Sequence, residues 1–551
     1  MIWTMTETVI PQPSGSPGGS LQDVNNLEQG HAKAPKASAS TWLVSLIFLP
    51  FLIEAAVYLK ALLQCIVARN DTTYPEGANV YVFLTALHTG HLYSSPLDFP
   101  LNPGIYGPLF YFIGTICAMV AHGDPTLTTR LARSLSLLSF FGSIGLIGYL
   151  TWRLEKLKRW TAITVVLSLA CTWARPFAAS ARPDTISIFL ILAALTVYVV
   201  AEGRSGLIFW AGVLGALSFL TKQTMAPMLL APVIDSLIAR RYKDAVALIA
   251  GSASMATIIL SILWLRHEPF LANYTAEAHV VVKWLSAATT AINYMRTNQM
   301  AIIPIFIALV GAGLRWREKR YRVILLAAGA GCLLNIAALA NLGGAENYLI
   351  MPWLMVALLV PAGLIQLEAW TGRSVLIPIG LTVLGMVLLI HQRNLVEIKV
   401  FRNLDTSTVG SMTMLTDLSY LEMRSRAPQL MDPAFYHHLS LQKAWADASI
   451  LQRIDGGVYD LIILRGSDAK GDAGSLDSTF SVLSYRGISN WGEDMLEAMR
   501  ARYRTLCEVP GHIALVPRER FDALSAESVG QIFGQPCVAS NRLPQVEAGA
   551  H

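Results

Sequence analysis

The sequence predicts an α-helical polytopic membrane protein of about eleven transmembrane helices with a soluble α/β domain after them. Three observations predict it. Apolar runs recur from Trp42 to Leu389, each roughly twenty residues long and so able to cross a hydrocarbon core of about 30 Å. Lys and Arg concentrate in the short segments Arg153–Arg159, Arg240–Lys243 and Arg315–Arg322, as they do in cytoplasmic loops. From His391 onward the hydropathy falls and the chain reads as an ordinary soluble sequence. Of the 551 residues, 54% are hydrophobic and only 14% charged, against about 25% charged in a typical soluble domain.

The elements follow in order. Residues 1–40 are rich in Pro, Gly, Ser and Asn without an apolar core, and read as a disordered cytoplasmic tail rather than a cleavable signal peptide. Residues 41–392 form the membrane domain. Spans are expected at 42–64, 130–151, 161–175, 184–201, 206–222, 225–239, 244–265, 299–314, 322–340, 347–366 and 373–391. The apolar stretch Ile105–Ala121 is not counted. A crossing there would turn all three basic segments outward, against the Lys/Arg bias. Its Pro108, Tyr106, Phe110, Tyr111 and Phe112 suit a helix lying at the interface.

With the N-terminus inside, the outer segments are 65–129, 176–183, 222–225, 266–298 and 341–347, and an odd number of spans puts 393–551 outside. Within that domain Tyr459–Leu464 and His512–Val516 read as buried strands and Asp494–Tyr503 as a short helix. Cys507 and Cys537 either pair as a disulfide, if the domain is outside the cytosol, or remain two thiols. The net charge of +5 comes from basic residues beside spans, so it signals topology and not a nucleic-acid surface.

The outer segments differ in kind from the basic ones: few charges, set among Pro, Gly, Tyr and Asn. Asp71 and Glu76 stand just past the first span. A carboxylate there is either a solvated loop acid or a general base for an acceptor hydroxyl. Arg175, Arg182 and Asp184 cap one outer hairpin, and Lys222 and Gln223 cap the next. Cations at outer ends run against the positive-inside trend. An anionic group such as a lipid phosphate explains them, as does snorkelling to headgroups or pairing of Arg182 with Asp184. Glu346, Asn347 and Tyr348 open the tenth span after Gly343 and Gly344. They are either a helix start or hydrogen-bonding groups for sugar or phosphate. No Cys or His spacing forms a metal site.

Taken in order, an acid in the first outer loop, Tyr106-Gly-Pro-Leu before an interfacial helix, then Arg182-Pro-Asp, Lys222-Gln-Thr and Glu346-Asn-Tyr at successive outer ends resemble the GT-C membrane glycosyltransferases. The resemblance is to the bacterial relatives of protein O-mannosyltransferases and lipid A aminoarabinose transferase, over residues 42–391. It implies a sugar moved from a polyprenyl-phosphate donor to a glycan, lipid or protein hydroxyl outside the cytoplasmic membrane. It implies no required cofactor, although some members use a divalent metal. The family often places Asp-Glu in its first loop. Tyr74-Pro75-Glu76-Gly77 aligns with it here, with Pro75 at the first acidic position. By that alignment Glu76 is the base, with Asp71 in reserve. Arg175, Arg182 and Lys222 hold the donor phosphate, and Tyr106, Asp184, Gln223, Glu346, Asn347 and Tyr348 line the substrate site. A transporter or flippase of lipid-linked sugar would use the same cations without a base, and a polysaccharide polymerase would share the donor chemistry.

Overall fold

The computed structural model describes residues 53, 56–68, 71–73, 76–95, 98–102, 104–156, 158–169, 175–278, 288–289, 292, 296, 301–339, 346–371, 409–441, 448–465, 479–482, 484–485, 488–489, 491–509, 511–540 and 543–546. The expected tail 1–40, the span 373–391, the 392/393 boundary, Tyr74, Pro75, Gly343 and Gly344 lie outside them.

The chain forms a helical bundle followed by a small α/β domain, as expected. Five described helices are long and apolar enough to cross a membrane: Pro125–Glu155, Asp184–Ala201, Tyr242–Leu265, Tyr321–Ala338 and Asn347–Trp370. Six shorter apolar helices accompany them: Ala56–Val67, Pro108–Val120, Trp160–Leu169, Ser205–Phe219, Gln223–Ile238 and Ile302–Arg315. The helices at 205–219 and 242–265 cross at two glycines. A Cβ on Gly212 would stand 2.2 Å from the Leu248 carbonyl oxygen, and one on Gly251 would stand 2.1 Å from that of Phe209. Small residues at a crossing let two backbones touch, and in lipid that close packing drives helix association.

Charge sorts to the two ends of the bundle. At one end Arg153 pairs with Glu202 at 2.7 Å. Beside them Asp235 accepts from Tyr198 (2.7 Å), Arg241 (2.6 Å) and Arg322 (2.6 Å). Residues of all three basic segments therefore gather at one end. The helix Asp184–Ala201 runs from there to the opposite end, where Asp184 anchors a second polar cluster. Asp184 and Tyr198 are fourteen residues apart on it, or about 21 Å along the axis.

The helix Pro108–Val120 stays at the Asp184 end. It starts where Leu109 N–H donates to the Leu220 carbonyl at 3.0 Å. A short turn then leads into Pro125–Glu155, which begins eight residues before Arg133, or about 12 Å beyond it on that side. Arg133 itself bonds Glu76 at this end. Both ends of Pro108–Val120 thus lie on one side of the bundle, as an interfacial helix requires.

The C-terminal domain holds a five-stranded sheet in the order 414–416, 461–465, 512–517, 503–509, 538–539. The first pair is parallel and the others antiparallel. Strands Leu461–Arg465 and His512–Pro517 and helix Glu493–Arg502 match the three elements read from sequence. Cys507 and Cys537 form a disulfide. The domain is seated on the first outer segment: Phe83, Phe110 and Tyr111 share one buried core with Tyr420, Leu421, Met431 and Leu461.

Candidate active site

Two clusters make up the site, joined by the hairpin at Ala181 and Arg182. The first is centred on Asp184, the opening residue of its helix, where the helix dipole favours a negative charge. Its Oδ1 accepts from Lys222 Nζ and, at 2.6 Å, from Asn347 Nδ2; its Oδ2 accepts from Arg182 Nε at 3.2 Å. All four side chains are buried. The Arg182 guanidinium lies 5.5 Å from the Phe177 ring and 6.0 Å from the Tyr106 ring, and Lys222 Nζ lies 4.3 Å from the Tyr348 ring. Burial pushes the Tyr106 phenol up to about 12, so it stays protonated. Gln223 Nε2 donates to the Ile105 carbonyl at 3.0 Å and fixes the Tyr106 loop.

The fold thus brings together seven of the expected site residues from four separate stretches of chain: Tyr106, Arg182, Asp184, Lys222, Gln223, Asn347 and Tyr348. Arg175 opens the short helix Arg175–Ala178 and Glu346 opens the turn Glu346–Leu349; their side chains lie outside the description.

Among its described side chains the first cluster holds two cations against one carboxylate, an excess of one positive charge. Four buried polar atoms on or next in sequence to residues of the two clusters have no hydrogen-bond partner: Asn347 Oδ1, Ser180 Oγ, Thr224 Oγ1 and Thr73 Oγ1. Buried polar atoms are nearly always satisfied.

The second cluster is built on Glu76. Its carboxylate accepts five hydrogen bonds: Arg133 Nε (2.7 Å) and Nη2 (2.6 Å), Thr72 N (2.8 Å) and Oγ1 (3.0 Å), and Ala181 N (2.6 Å). Burial opposes its ionisation, but the Arg133 guanidinium and these donors outweigh it and hold its pKa below the ordinary value. Arg133 also donates to the Cys65 and Ala68 carbonyls, so it ties the end of the first apolar helix to the loop. Asn79 Nδ2 donates to the Ala181 carbonyl at 3.1 Å and fastens the hairpin from the same helix.

Asp71 lies beside this pair and is partly exposed. Its Oδ1 accepts from Gly77 N at 2.8 Å and its Oδ2 from Tyr420 N at 3.0 Å. Burial against the domain, and then the Glu76 carboxylate, raise its pKa to about 7. Arg133 and Tyr420 were not read as site residues from sequence. Arg133 carried a signal, being an arginine inside an apolar helix, where ionisable groups are functional by default. Tyr420 acts through its backbone and carried none.

Among the described residues no group of three or more His, Cys, Asp or Glu could hold a metal ion. The Glu76 oxygens already face N–H and O–H donors, which does not suit a ligand to a cation.

No protein-family model matches the sequence, and no curated protein matches it. Solved structures do. ArnT from Cupriavidus metallidurans in the apo state is similar over 87% of this chain and 98% of that one, with a TM-score of 0.52 at 12% identity. The same protein bound to undecaprenyl phosphate gives 0.52 at 11% identity, over the same shares of each chain. The archaeal oligosaccharyltransferase AglB from Archaeoglobus fulgidus, in complex with an inhibitory peptide and a dolichol-phosphate, covers 74% of this chain and 69% of that one, at 0.45 and 10%. The chain shares the fold of ArnT over nearly the whole length of that protein.

Proposed function

We propose that this protein is a membrane glycosyltransferase that moves a sugar from a polyprenyl-phosphate donor to an acceptor hydroxyl on the extracytoplasmic face. The observation that carries the reading is the Arg182–Asp184–Lys222–Asn347 cluster: buried, with two cations against one carboxylate among its described side chains, and with Asn347 Oδ1 left without a hydrogen-bond partner. A phosphodiester monoanion, the form of phosphate in a polyprenyl-phosphate sugar, neutralises one positive charge and accepts from both cations. The undecaprenyl phosphate bound by ArnT, which shares the fold, is a ligand of this chemistry.

The reaction is a single displacement. The acceptor oxygen attacks the anomeric carbon, the bond from that carbon to the phosphate oxygen breaks, and the lipid phosphate leaves with the electron pair. Arg182 and Lys222 stabilise the charge that develops on it. The acceptor's proton passes to a carboxylate, and the anomeric centre inverts. Asp71 suits that role better than Glu76. Its pKa near 7 matches a base working at neutral pH, whereas Glu76 is held ionised by five donors and is a weak base. Glu76 then serves by fixing the loop through Arg133 and Ala181. The extracytoplasmic face is supported by the Lys and Arg gathered at the opposite end of the bundle, and by a disulfide in the domain seated beside the site.

The test is transfer of radiolabelled sugar from polyprenyl-phosphate donors to membrane acceptors, comparing the natural protein with Asp71→Asn and Lys222→Met. Label moving with the natural protein and with neither variant supports the reading. No label from any donor with well-folded protein returns the chain to the transporter class.

A further inference from the structure

The C-terminal domain touches the first outer segment through a closed circuit of contacts that includes Asp71. The short helical turn Ser419–Glu422 lies directly on Gly77, where an added Cβ would stand 2.4 Å from Tyr420 N and 2.5 Å from the Ser419 carbonyl carbon. The Tyr420 N–H reaches past Gly77 to Asp71 Oδ2. Ser419 Oγ donates to the Met431 carbonyl at 2.9 Å, and Glu422 Oε1 accepts from Gln429 N at 2.8 Å. The 429–431 segment in turn bridges Leu101: Leu101 N donates to the Gln429 carbonyl (2.8 Å) and Met431 N to the Leu101 carbonyl (2.9 Å). Asn102 Nδ2 donates to the Ala78 carbonyl at 3.1 Å and returns the circuit to the helix beginning at Glu76. Arg424, stacked 3.5 Å from the Tyr420 ring, donates to Thr126 Oγ1 at 3.1 Å and pins the turn from its other side.

We infer that the turn Ser419–Glu422 is a latch that seats on Gly77 and, through the Tyr420 backbone N–H, holds the Asp71 carboxylate in position. Tyr420 is thereby a positioning residue contributed by the C-terminal domain. The inference deepens the proposed function and rests on the reading of Asp71 as base. The geometry argues for a purpose beyond packing. The Tyr420 N–H lies in the first turn of its helix, where an N–H has no carbonyl to bond within the helix, and its acceptor is a site carboxylate. The charged groups facing Asp71 are Glu76 from its own segment, Arg133 from the 125–155 helix and Arg424 from the domain.

The experiment uses purified full-length protein in detergent and a hydrophobic carbodiimide, which modifies protonated carboxyls. The pH midpoint of Asp71 modification is read by peptide mass. Gly77→Val keeps helical backbone geometry but wedges the latch open. Water then reaches Asp71, and its midpoint falls by roughly one pH unit or more, because burial is the larger influence on it. Tyr420→Pro removes the N–H at a first-turn position that tolerates proline. With the domain still seated it moves the midpoint upward, since the ionised carboxylate loses a donor. A midpoint in Gly77→Val equal to that of the natural protein overturns the latch, whatever becomes of Tyr420→Pro. Sugar transfer that survives Asp71→Asn overturns the base assignment alone, and leaves the carbodiimide shift to decide the latch.

Discussion

Arg133 closes on Glu76 with two parallel hydrogen bonds of 2.6 and 2.7 Å, both side chains fully buried. The pair joins three pieces of chain: the end of the first apolar helix, the loop of Asp71, and the hairpin that carries Arg182. Removing one partner strands the other charge in a buried place. Glu76→Met or Arg133→Met alone should therefore cost about 3–5 kcal/mol, read as a lowered melting temperature in detergent. The double variant Glu76→Met/Arg133→Met should recover part of that loss. Additive losses would show that the pair is not coupled.

Transfer should depend on pH through Asp71. Its pKa of about 7 means the base form is lost as pH falls below neutrality, so kcat/KM should drop about tenfold per pH unit on the acid side. A profile flat from pH 8 to pH 5 would remove Asp71 from the reaction.

Glu422 makes an opposite kind of prediction, about stability. Burial raises its pKa to about 8, and its Oε2 has no hydrogen-bond partner. Its folded pKa lies above its unfolded one, so the folded state binds more protons between about pH 4.5 and 8. Stability from this group is full on the acid side and is lost as pH rises toward 8. Glu422→Gln should remove that slope and raise the melting temperature at pH 8 by several degrees, measured by scanning fluorimetry. An unchanged slope would mean Glu422 is ionised in place.

Lys222→Met and Arg182→Met should each weaken binding of undecaprenyl phosphate at least roughly tenfold, which is about 1.4 kcal/mol. The loss should diminish at high salt less than for a surface cation, because both groups are buried. Titration of the lipid phosphate against intrinsic Trp fluorescence reads it directly. Equal affinity in both variants would place the phosphate elsewhere.

Reporter fusions after residues 155 and 318 should report the cytoplasm, and one after residue 400 the outer side. A cytoplasmic signal at 400 would contradict the seating of the C-terminal domain at the Asp71 end of the bundle.

Much of this was legible along the chain because the bilayer acts on local properties. Apolar length sets the helices, and the Lys/Arg bias of Arg153–Arg159, Arg240–Lys243 and Arg315–Arg322 sorts their ends. Arg182 and Lys222 could be named because cations at the outer ends of apolar helices need a reason, and Tyr106 and Asn347 through the order of motifs along the chain. Their meeting around Asp184 could only be expected from order of motifs, since they come from stretches up to 241 residues apart. The division of labour between Glu76 and Asp71 was not legible at all. Two carboxylates five residues apart look alike in sequence. An arginine 57 positions away from Glu76 and a backbone N–H 349 positions away from Asp71 make them different. Burial and charge at a carboxylate depend on what folding brings within a few ångströms. The sequence by itself determined the membrane class and the two-ended charge pattern and offered most of the candidate residues; only the tertiary structure decided which acid is clamped by an arginine and which has its pKa raised toward neutrality, because burial and charge at a carboxylate come from distant stretches of chain.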